Sequence, residues 1–235
     1  MRQFTSLSRR LAAVWLSASL AGYVAAPVAA QDASVNPGIN RSYESPDLER
    51  LQASLEGERR AIYQYRHAIV AALGLQEGMA VADIGSGTGF IARLIAHQVG
   101  SNGRVYAMDI AQDLLDHVVS TADADGLSNV VPVLGDQHTT NLQPDSVELA
   151  LVCDVYHHFE FPSDSLASIH QALRDDGLLV VVDFERVVGV SADFQLTHVR
   201  AGKGTVTDEI KNTGFDFVKE IPLIPDQYYL VFRKR

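Results

Sequence analysis

The sequence predicts one α/β domain in which helices cover both faces of a mostly parallel β-sheet. From residue 79 onward, short apolar runs alternate with amphipathic stretches that end at glycine, which is the pattern of a parallel sheet with crossover helices. The chain then ends with two apolar runs separated by a few residues that include Pro222 and Pro225. Because so short a connection cannot contain a crossover helix, the last two strands are expected to be antiparallel.

The spacing of apolar residues predicts each element in turn. Residues 47–73 carry apolar and aromatic side chains at three- and four-residue steps, which predicts a helix divided near Gly57 and ended by Gly74. The alternating region predicts parallel strands at residues 79–84, 104–108, 130–134, 147–153 and 178–184. Its helices are predicted at residues 90–99, 111–125 and 163–173, the last capped by Ser163. A short helix at residues 207–213 precedes the two final strands, at 215–221 and 228–232.

The first 30 residues have the order of a secretory signal. The pair Arg9-Arg10 precedes an apolar run at residues 11–26, and residues 28–30 (Val-Ala-Ala) form a small-residue cleavage sequence. The run is short and rich in alanine for a membrane span. We expect residues 1–30 to be removed and the protein to be exported to the periplasm without stable membrane association, with Arg9-Arg10 compatible with twin-arginine export. The alternative is a cytoplasmic enzyme whose start codon has been misassigned.

The rest of the chain is acidic and long enough for one domain. Residues 31–46 are polar and contain Asn36-Pro37-Gly38, which predicts a linker, and residues 47–235 form the domain. Without residues 1–30 the chain has 16 basic and 29 acidic residues, a formal net charge of −13. Such a domain repels phosphate backbones, so nucleic acid is not expected as a substrate. The single cysteine, Cys153, excludes an intramolecular disulfide, and its apolar surroundings indicate a buried, inert thiol.

A glycine-rich turn follows the first strand of the alternating region. Residues 81–90 read Val-Ala-Asp-Ile-Gly-Ser-Gly-Thr-Gly-Phe, a strand, a turn and the beginning of a helix, where free N–H groups can meet a ligand. The order G-x-G-x-G departs from the dinucleotide fingerprint, because Phe90 stands where its last glycine belongs. The carboxylate of Asp83 would repel a pyrophosphate and suits a ligand with a positive amino group.

The run from Asp83 to Gly89 resembles the first motif of class I S-adenosylmethionine-dependent methyltransferases, and the resemblance extends over about residues 59–235. It implies a Rossmann-like sheet of seven strands in the order 3-2-1-4-5-7-6, with S-adenosylmethionine as the cofactor. The resemblance assigns cofactor binding to the residues of this motif, with the methionine moiety near the turn and its ammonium group near the first carboxylate; these residues are Asp83, Gly85, Ser86, Gly87 and Gly89. It also implies that residues 47–73 form a lid, with Tyr63 or Arg66 near the cofactor's carboxylate.

Acidic residues at three further strand ends fit the same cofactor. Asp109, followed by Ile110, ends the second strand, where a carboxylate accepts hydrogen bonds from both ribose hydroxyls. Dinucleotide-binding enzymes make the same contact, so Asp109 indicates an adenosine-containing cofactor but does not distinguish between S-adenosylmethionine and a dinucleotide. Asp136 and Gln137 follow the third strand, where the family's aspartate hydrogen-bonds the adenine amino group. Asp154 follows the fourth strand, beside the point where ligands bind to such sheets.

Candidate catalytic residues follow the fourth strand directly. Methyl transfer requires an aligned nucleophile, exclusion of water and sometimes a base, and Tyr156, His157 and His158 lie where an acceptor would meet the methyl group. Histidine is the natural base near neutral pH. Adjacent side chains diverge on a regular backbone, so at most one of the two histidines is expected to face the pocket. Adjacent histidines rarely bind one ion and no spacing matches a known metal site, so no metal is expected.

A second cluster, His198, Arg200 and Lys203, lies between the fifth strand and the next helix. In an otherwise acidic domain these residues are candidates for binding an anionic acceptor, and a solvated surface loop is the alternative.

The resemblance implies methyl transfer to a small-molecule acceptor. Residues 153–159 do not form the Asn/Asp-Pro-Pro-aromatic motif of amino-group methylation on nucleic acids, which leaves oxygen, sulfur, carbon or a metalloid as the methylated atom. Two alternatives remain. The first is an exported domain that binds an adenosine-like ligand without turnover. The second is an NAD-dependent oxidoreductase, which would have glycine at position 90 and no Asp83. The sequence indicates no oligomeric state.

Overall fold

The computed structural model describes residues 31–235, so the predicted signal at residues 1–30 lies outside the described residues. The strands are β1 (Ala80–Ile84), β2 (Arg104–Asp109), β3 (Val130–Leu134), β4 (Val147–Cys153), β5 (Leu173–Phe184), β6 (Phe215–Glu220) and β7 (Gln227–Lys234). The helices are α1 (Leu48–Leu55), α2 (Ala61–Ala72), α3 (Phe90–Val99), α4 (Gln112–Ala124), α5 (Pro162–Ala172), α6 (Asp193–His198) and α7 (Lys203–Asn212), and a 3₁₀ turn (Tyr156–His158) follows β4.

The seven strands form one sheet in the order β3-β2-β1-β4-β5-β7-β6. Strands β1 to β5 pair in parallel, and β7 pairs antiparallel with both β5 and β6. The predicted fold class and strand order are therefore confirmed. The parallel strands direct their carboxyl ends to one edge of the sheet, so the turns that follow β1, β2, β3 and β4 meet there.

Consecutive residues of the central strands pack on opposite faces of the sheet. Val81 and Leu149 belong to a buried cluster with helices α2 and α3, whereas Ala82 and Ala150 belong to a second cluster with α5 and α7. This alternation follows from the two-residue period of a strand, and burial on both faces accounts for the unbroken apolar runs in the sequence. Among residues 31–235 no helix is both long and apolar enough to cross a membrane.

Several element boundaries differ from those predicted. Helix α5 begins at Pro162 with Phe161 as its N-cap, and Ser163 does not cap it. Proline suits a first helical position because its φ is already near the helical value and the N–H it lacks would have no intrahelical partner. Strand β5 begins at Leu173, directly after α5, rather than at the predicted residue 178. Helix α7 begins at Lys203 rather than at the predicted residue 207.

Residues 31–46, predicted as a linker, pack against the domain, and we call them the N-terminal strap. The backbone N–H of Val35 donates to the carbonyl of Glu160 at 2.9 Å. The amide of Asn40, which is buried, donates to Gln137 Oε1 and to the carbonyl of His158, both at 2.9 Å. The polar side chains of the strap thus bind polar groups at the carboxyl edge of the sheet.

Gly89 allows helix α3 to approach α4. Its φ is +72°, and a Cβ at this position would lie 2.8 Å from Cγ2 of Val118. Gly126 has nearly the same φ, +71°, but a Cβ there would meet nothing within 4 Å.

We therefore expect Gly89→Ala to destabilise the protein more than Gly126→Ala. Both variants force alanine into the left-handed region, at about 1–2 kcal/mol, and only Gly89→Ala adds overpacking, at about 1–3 kcal/mol. Urea denaturation of both variants measures the difference in the free energy of unfolding. Equal losses would contradict the close packing of α3 on α4 at this glycine.

Candidate active site

A cavity of about 290 Å³ opens at the carboxyl edge of the sheet, beside β1 and β4, where the strand order reverses. It brings together most of the predicted site residues, namely Asp83, Gly85, Ser86, Asp109, Ile110, Asp136, Gln137, Asp154, His157, His158 and His198. Five predicted residues do not line it: Gly87, Gly89, Tyr156, Arg200 and Lys203. Its lining also includes polar residues that the sequence did not single out, among them Asn40, Tyr43 and Arg60.

The turn after β1 forms the floor of the cavity. The backbone N–H groups of Gly85 and Ser86 both donate to the carbonyl of Met108, at 2.8 and 2.9 Å. The φ of Gly85 is +69°, and a Cβ there would lie 2.5 Å from Cγ1 of Val155. Only glycine therefore lets the turns after β1 and β4 come together at this point.

Asp109 is buried and held rigidly at the end of β2. Its Oδ1 accepts hydrogen bonds from the backbone N–H groups of Ile110 and Ala111 at 2.8 and 3.2 Å, and its Oδ2 accepts one from Gly87 at 2.9 Å. Burial raises the pKa of this carboxyl, and the three hydrogen bonds oppose that rise. Gly87 therefore acts by orienting Asp109, although it does not itself line the cavity.

Asp83 is a buried carboxylate that lacks a partner on one oxygen. Its side-chain Oδ2 and the hydroxyl of Ser86 form no hydrogen bond with the protein. Burial, and then the charge of Asp109, raises the pKa of Asp83 to about 7. An unpartnered carboxylate oxygen in a pocket indicates a cationic or hydrogen-bond-donating ligand, because its desolvation is otherwise uncompensated.

Among residues 31–235, Arg60 is the one lysine or arginine whose side chain lines this cavity. It forms an ion pair with Asp154, and its Nη1 donates to the carbonyl of Leu55 at 3.1 Å. The expected residues of the lid do not reach the cavity: the guanidinium of Arg66 lies 4.0 Å from the ring centre of Tyr63 and covers that ring. Arg60 is the N-cap of α2, and no motif or periodicity in the sequence distinguishes it.

Three histidines gather in the lining of the cavity, and we call them the histidine trio (His157, His158 and His198). The ring centres of His157 and His158 lie 4.3 Å apart, and His198 at the end of α6 lies 5.0 and 5.2 Å from them. The expectation that at most one of the adjacent histidines faces the pocket is therefore wrong. They lie on a 3₁₀ turn, where the side-chain directions of strands and α-helices do not apply.

Two of these imidazoles are oriented by hydrogen bonds from behind. Nδ1 of His157 lies 2.8 Å from Oδ1 of the buried Asp183, whose Oδ2 accepts the backbone N–H of His157 at 3.0 Å. Nδ1 of His158 lies 3.1 Å from Oδ1 of Asn40. Because the amide nitrogen of Asn40 already donates to two oxygens, its Oδ1 is the acceptor and Nδ1 of His158 is the donor. Each Nε2 is thus left as the basic nitrogen.

The two more accessible imidazoles are neutral at neutral pH. Burial, and then the neighbouring His157 and His198, lowers the pKa of His158 to about 3. Burial, and then His157, lowers the pKa of His198. Both therefore present a lone pair to the cavity rather than a positive charge.

Three other predicted residues bind glutamate side chains outside the cavity. The hydroxyl of Tyr156 donates to Oε2 of Glu209 at 2.8 Å, and Arg200 binds both oxygens of Glu209 at 2.8 and 2.7 Å. Lys203 forms ion pairs with Glu185 at 2.7 Å and Glu220 at 2.8 Å. Arg200 and Lys203 therefore lie outside the lining of the cavity, and glutamates that also lie outside it bind their charges. Of the predicted substrate cluster, only His198 lines the cavity.

Comparison with known proteins shows which family this sequence resembles. A family model described as a methyltransferase domain matches residues 75–219. A protein-L-isoaspartate O-methyltransferase of Methanococcoides burtonii is 38% identical over 156 residues, which cover 61% of this chain and 70% of that protein. A ubiquinone/menaquinone biosynthesis C-methyltransferase of Neisseria gonorrhoeae is 27% identical over 127 residues, covering 52% of this chain and 50% of that protein. The chain spans about half the length of several curated relatives that it matches.

Among solved structures, that of an S-adenosylmethionine-dependent methyltransferase from Aquifex aeolicus has a TM-score of 0.72 with this chain at 18% identity. The match covers 81% of this chain and 100% of that one. At this level of identity the likeness shows the shared fold.

The raised pKa of Asp83 generates a prediction about stability. In the folded protein Asp83 keeps its proton up to about pH 7, whereas its ordinary pKa is 3.8, so its contribution to stability is lost as the pH rises between these values. We expect Asp83→Asn to unfold with a free energy like that of the wild type at pH 4. At pH 8 it should be more stable, by on the order of 3–4 kcal/mol.

Urea denaturation at both pH values measures this difference. Asp113→Asn, which changes an exposed carboxylate in the first turn of α4, is the matched control and should differ little from the wild type at either pH. An Asp83→Asn variant that gains no stability at pH 8 would show that the ionised carboxylate is compensated within the protein.

Proposed function

Because the chain belongs to the class I S-adenosylmethionine-dependent methyltransferases, we propose that it transfers a methyl group to a small, uncharged acceptor with an O–H, S–H or activated C–H group. The observation that carries this proposal is that one cavity holds two groups of polar residues. The first group, which we call the cofactor end, has the unpartnered oxygen of Asp83 and the fixed carboxylate of Asp109, and the second, which we call the acceptor end, is the histidine trio.

The first end fits the cofactor of this family. The unpartnered Oδ2 of Asp83 and hydroxyl of Ser86 would bind the cofactor's ammonium group, and Asp109 would accept hydrogen bonds from its ribose hydroxyls. Asp136 and Gln137 would face the adenine. The Oδ1 of Asp136 accepts hydrogen bonds from the backbone N–H groups of His138 and Thr139 at 2.7 and 2.8 Å. Arg60 would bind the cofactor's carboxylate. When bound, S-adenosylmethionine supplies a methyl group on a positively charged sulfur.

The second end has the character of a site for an uncharged acceptor. Phe159, Phe184 and Phe194 line it together with the histidine trio. Among the described residues that line the cavity, Arg60 is the one lysine or arginine, and it is assigned to the cofactor, so no such cation is left for the acceptor. The proposed acceptor is therefore uncharged rather than the anionic acceptor that the sequence suggested. A C-methyltransferase of quinone biosynthesis is among the relatives, which favours ring-bearing acceptors in a first test.

The strap and lid would exclude water from both ends. Asn40 and Tyr43 line the cavity from the strap, and Leu55 and Arg60 line it from the region between α1 and α2. Burial raises the pKa of Tyr43, which keeps its phenol neutral. A closed, preorganised cavity holds the acceptor in line with the methyl group and prevents water from taking its place.

The two alternatives differ in what they require of this cavity. An NAD-dependent oxidoreductase would place a pyrophosphate near the turn after β1, where the carboxylate of Asp83 would repel it and Phe90 lines the wall. Binding of an adenosine-like ligand without turnover would use only the first end, and would give no role to the three imidazoles at the second end.

We also propose that the protein is exported and begins at Gln31 after removal of residues 1–30. The backbone nitrogen of Gln31 donates to Oδ1 of Asp164 at 3.0 Å. Cleavage before Gln31 would turn this nitrogen into an ammonium group beside a partly buried carboxylate.

Methyl transfer is tested by supplying S-adenosylmethionine with a labelled methyl group to the purified protein and a cell extract. We expect label in the small-molecule fraction. Asp109→Ala should lower cofactor affinity about 100-fold, since charge-assisted hydrogen bonds contribute about 1.5–3 kcal/mol each. Asp113→Ala, an exposed carboxylate nearby, should bind and turn over normally.

Each other outcome of this experiment contradicts the proposal. Label in protein or nucleic acid would mean a macromolecular acceptor. Tight calorimetric binding of S-adenosylmethionine with no label transferred from any extract would favour ligand binding without turnover. Binding of NADH in place of S-adenosylmethionine would overturn the assignment of the cofactor end.

Export is tested by expressing the full chain and fractionating the cells. We expect the periplasmic protein to have an intact mass that begins at Gln31. Full-length protein confined to the cytoplasm would instead support a misassigned start codon.

A further inference from the structure

The histidine trio has the arrangement of ligands around a single metal ion. One ring nitrogen from each of His157, His158 and His198 lies within 4.8 Å of the other two. Three imidazoles bound to a tetrahedral ion through nitrogens at about 2.1 Å would have ring centres about 5 Å apart. The observed ring-centre distances of 4.3, 5.0 and 5.2 Å are close to this value.

The hydrogen bonds behind the trio are those that metal-binding histidines have. A ligating histidine almost always donates its other ring N–H to a carboxylate or carbonyl oxygen, which fixes the tautomer and the ring orientation. His157 has Asp183 at 2.8 Å in this position, and His158 has the side-chain oxygen of Asn40 at 3.1 Å. Asp183 is 1% exposed and is itself fixed by the backbone N–H groups of His157 and Phe184.

A purely aromatic wall does not account for this arrangement. Phe184 and Phe194 pack against the trio, at ring-centre distances of 5.7 Å to His157 and 5.7 Å to His198, and would form such a wall without imidazoles. A wall also has no need of a buried carboxylate behind one ring. Three convergent nitrogens with oriented rings in a cavity are better explained as a donor set.

We propose that His157, His158 and His198 bind one divalent transition-metal ion of the Zn²⁺ type, with a fourth position open to the acceptor. Imidazole nitrogens suit Zn²⁺, and three protein ligands with one open position are typical of catalytic rather than structural zinc sites. Asp183 and Asn40 are positioning residues, since they act through the ligands.

Through its open position the ion would bind the acceptor, a role that rests on the proposed function. An acceptor with an S–H or O–H group would bind the ion through its sulfur or oxygen as the anion, and its proton would pass to solvent. The same atom would then use a lone pair to form the bond to the methyl carbon, while the donor sulfur keeps the electrons of its broken bond to that carbon. The methylated product is no longer anionic and would leave the ion more readily.

The site is tested by the metal content of the purified, untagged full-length protein. After chelation and dialysis against excess Zn²⁺, we expect elemental analysis to find one Zn²⁺ per chain. Co²⁺ in place of Zn²⁺ should give the intense visible absorption of a tetrahedral site. His198→Gln, which changes the most accessible ligand, should lower Zn²⁺ affinity more than about tenfold, and Asp183→Asn should lower it about 10- to 100-fold.

His97→Gln is the matched control, because His97 is an exposed histidine on α3 outside the cavity. Calorimetry with S-adenosylhomocysteine, which is the product that S-adenosylmethionine leaves after methyl transfer, is run on the same samples to test the cofactor end. Binding of this nucleoside without retention of Zn²⁺, or Zn²⁺ retention unchanged in His198→Gln, would overturn the metal site and leave the trio as a hydrogen-bonding wall. Zn²⁺ retention without nucleoside binding would instead overturn the proposed methyl transfer.

Discussion

The close contact between the turns after β1 and β4 is the constraint on which the site depends. At Gly85 the backbone occupies a left-handed conformation, and the space that a Cβ would need is filled by Val155. The turn after β1 thereby carries part of the proposed cofactor end, and the turn after β4 carries part of the proposed acceptor end. A larger residue at position 85 would separate the two turns and, with them, Asp83 from the histidine trio.

Four aspartates at this edge of the sheet differ in how the protein compensates their charge. Asp109 and Asp183 are buried, but each accepts hydrogen bonds from backbone N–H groups. Asp154 is paired with Arg60. Asp83 and Asp154 each retain one buried oxygen without a hydrogen-bond partner, but Asp83 has no cation paired with it, and its pKa is raised to about 7. Such an uncompensated group destabilises the free protein, and a positive ligand would remove the penalty on binding.

The strap gives the cavity a wall that belongs to no regular element. Asn40 contacts the turn after β3 through Gln137 and the turn after β4 through His158, so one side chain connects the cofactor end with the acceptor end. Its amide therefore fixes the tautomer of His158 while closing the cavity. The polar composition that predicted a linker reflects these contacts rather than freedom from the domain.

The sequence by itself determined the sheet and which residues of the proposed cofactor end come together. Periodicity located the strands, and the residues of the motif from Asp83 to Gly89 lie next to one another in the chain, so local order decides how they meet a ligand. Asp109, Asp136 and Asp154 could be placed because parallel strands bring their carboxyl ends to one edge.

Only the tertiary structure decided which residues meet at the proposed acceptor end and which residues wall the cavity. His198 meets His157 through the course of the chain after β5, and Asp183 meets His157 because β4 and β5 are neighbours in the sheet. Arg200 and Lys203 were misplaced since their partners, Glu209, Glu185 and Glu220, are brought to them by folding. Arg60 and Asn40 were missed for the same reason. Contacts between residues far apart in the chain depend on packing, which neither periodicity nor motif spacing encodes.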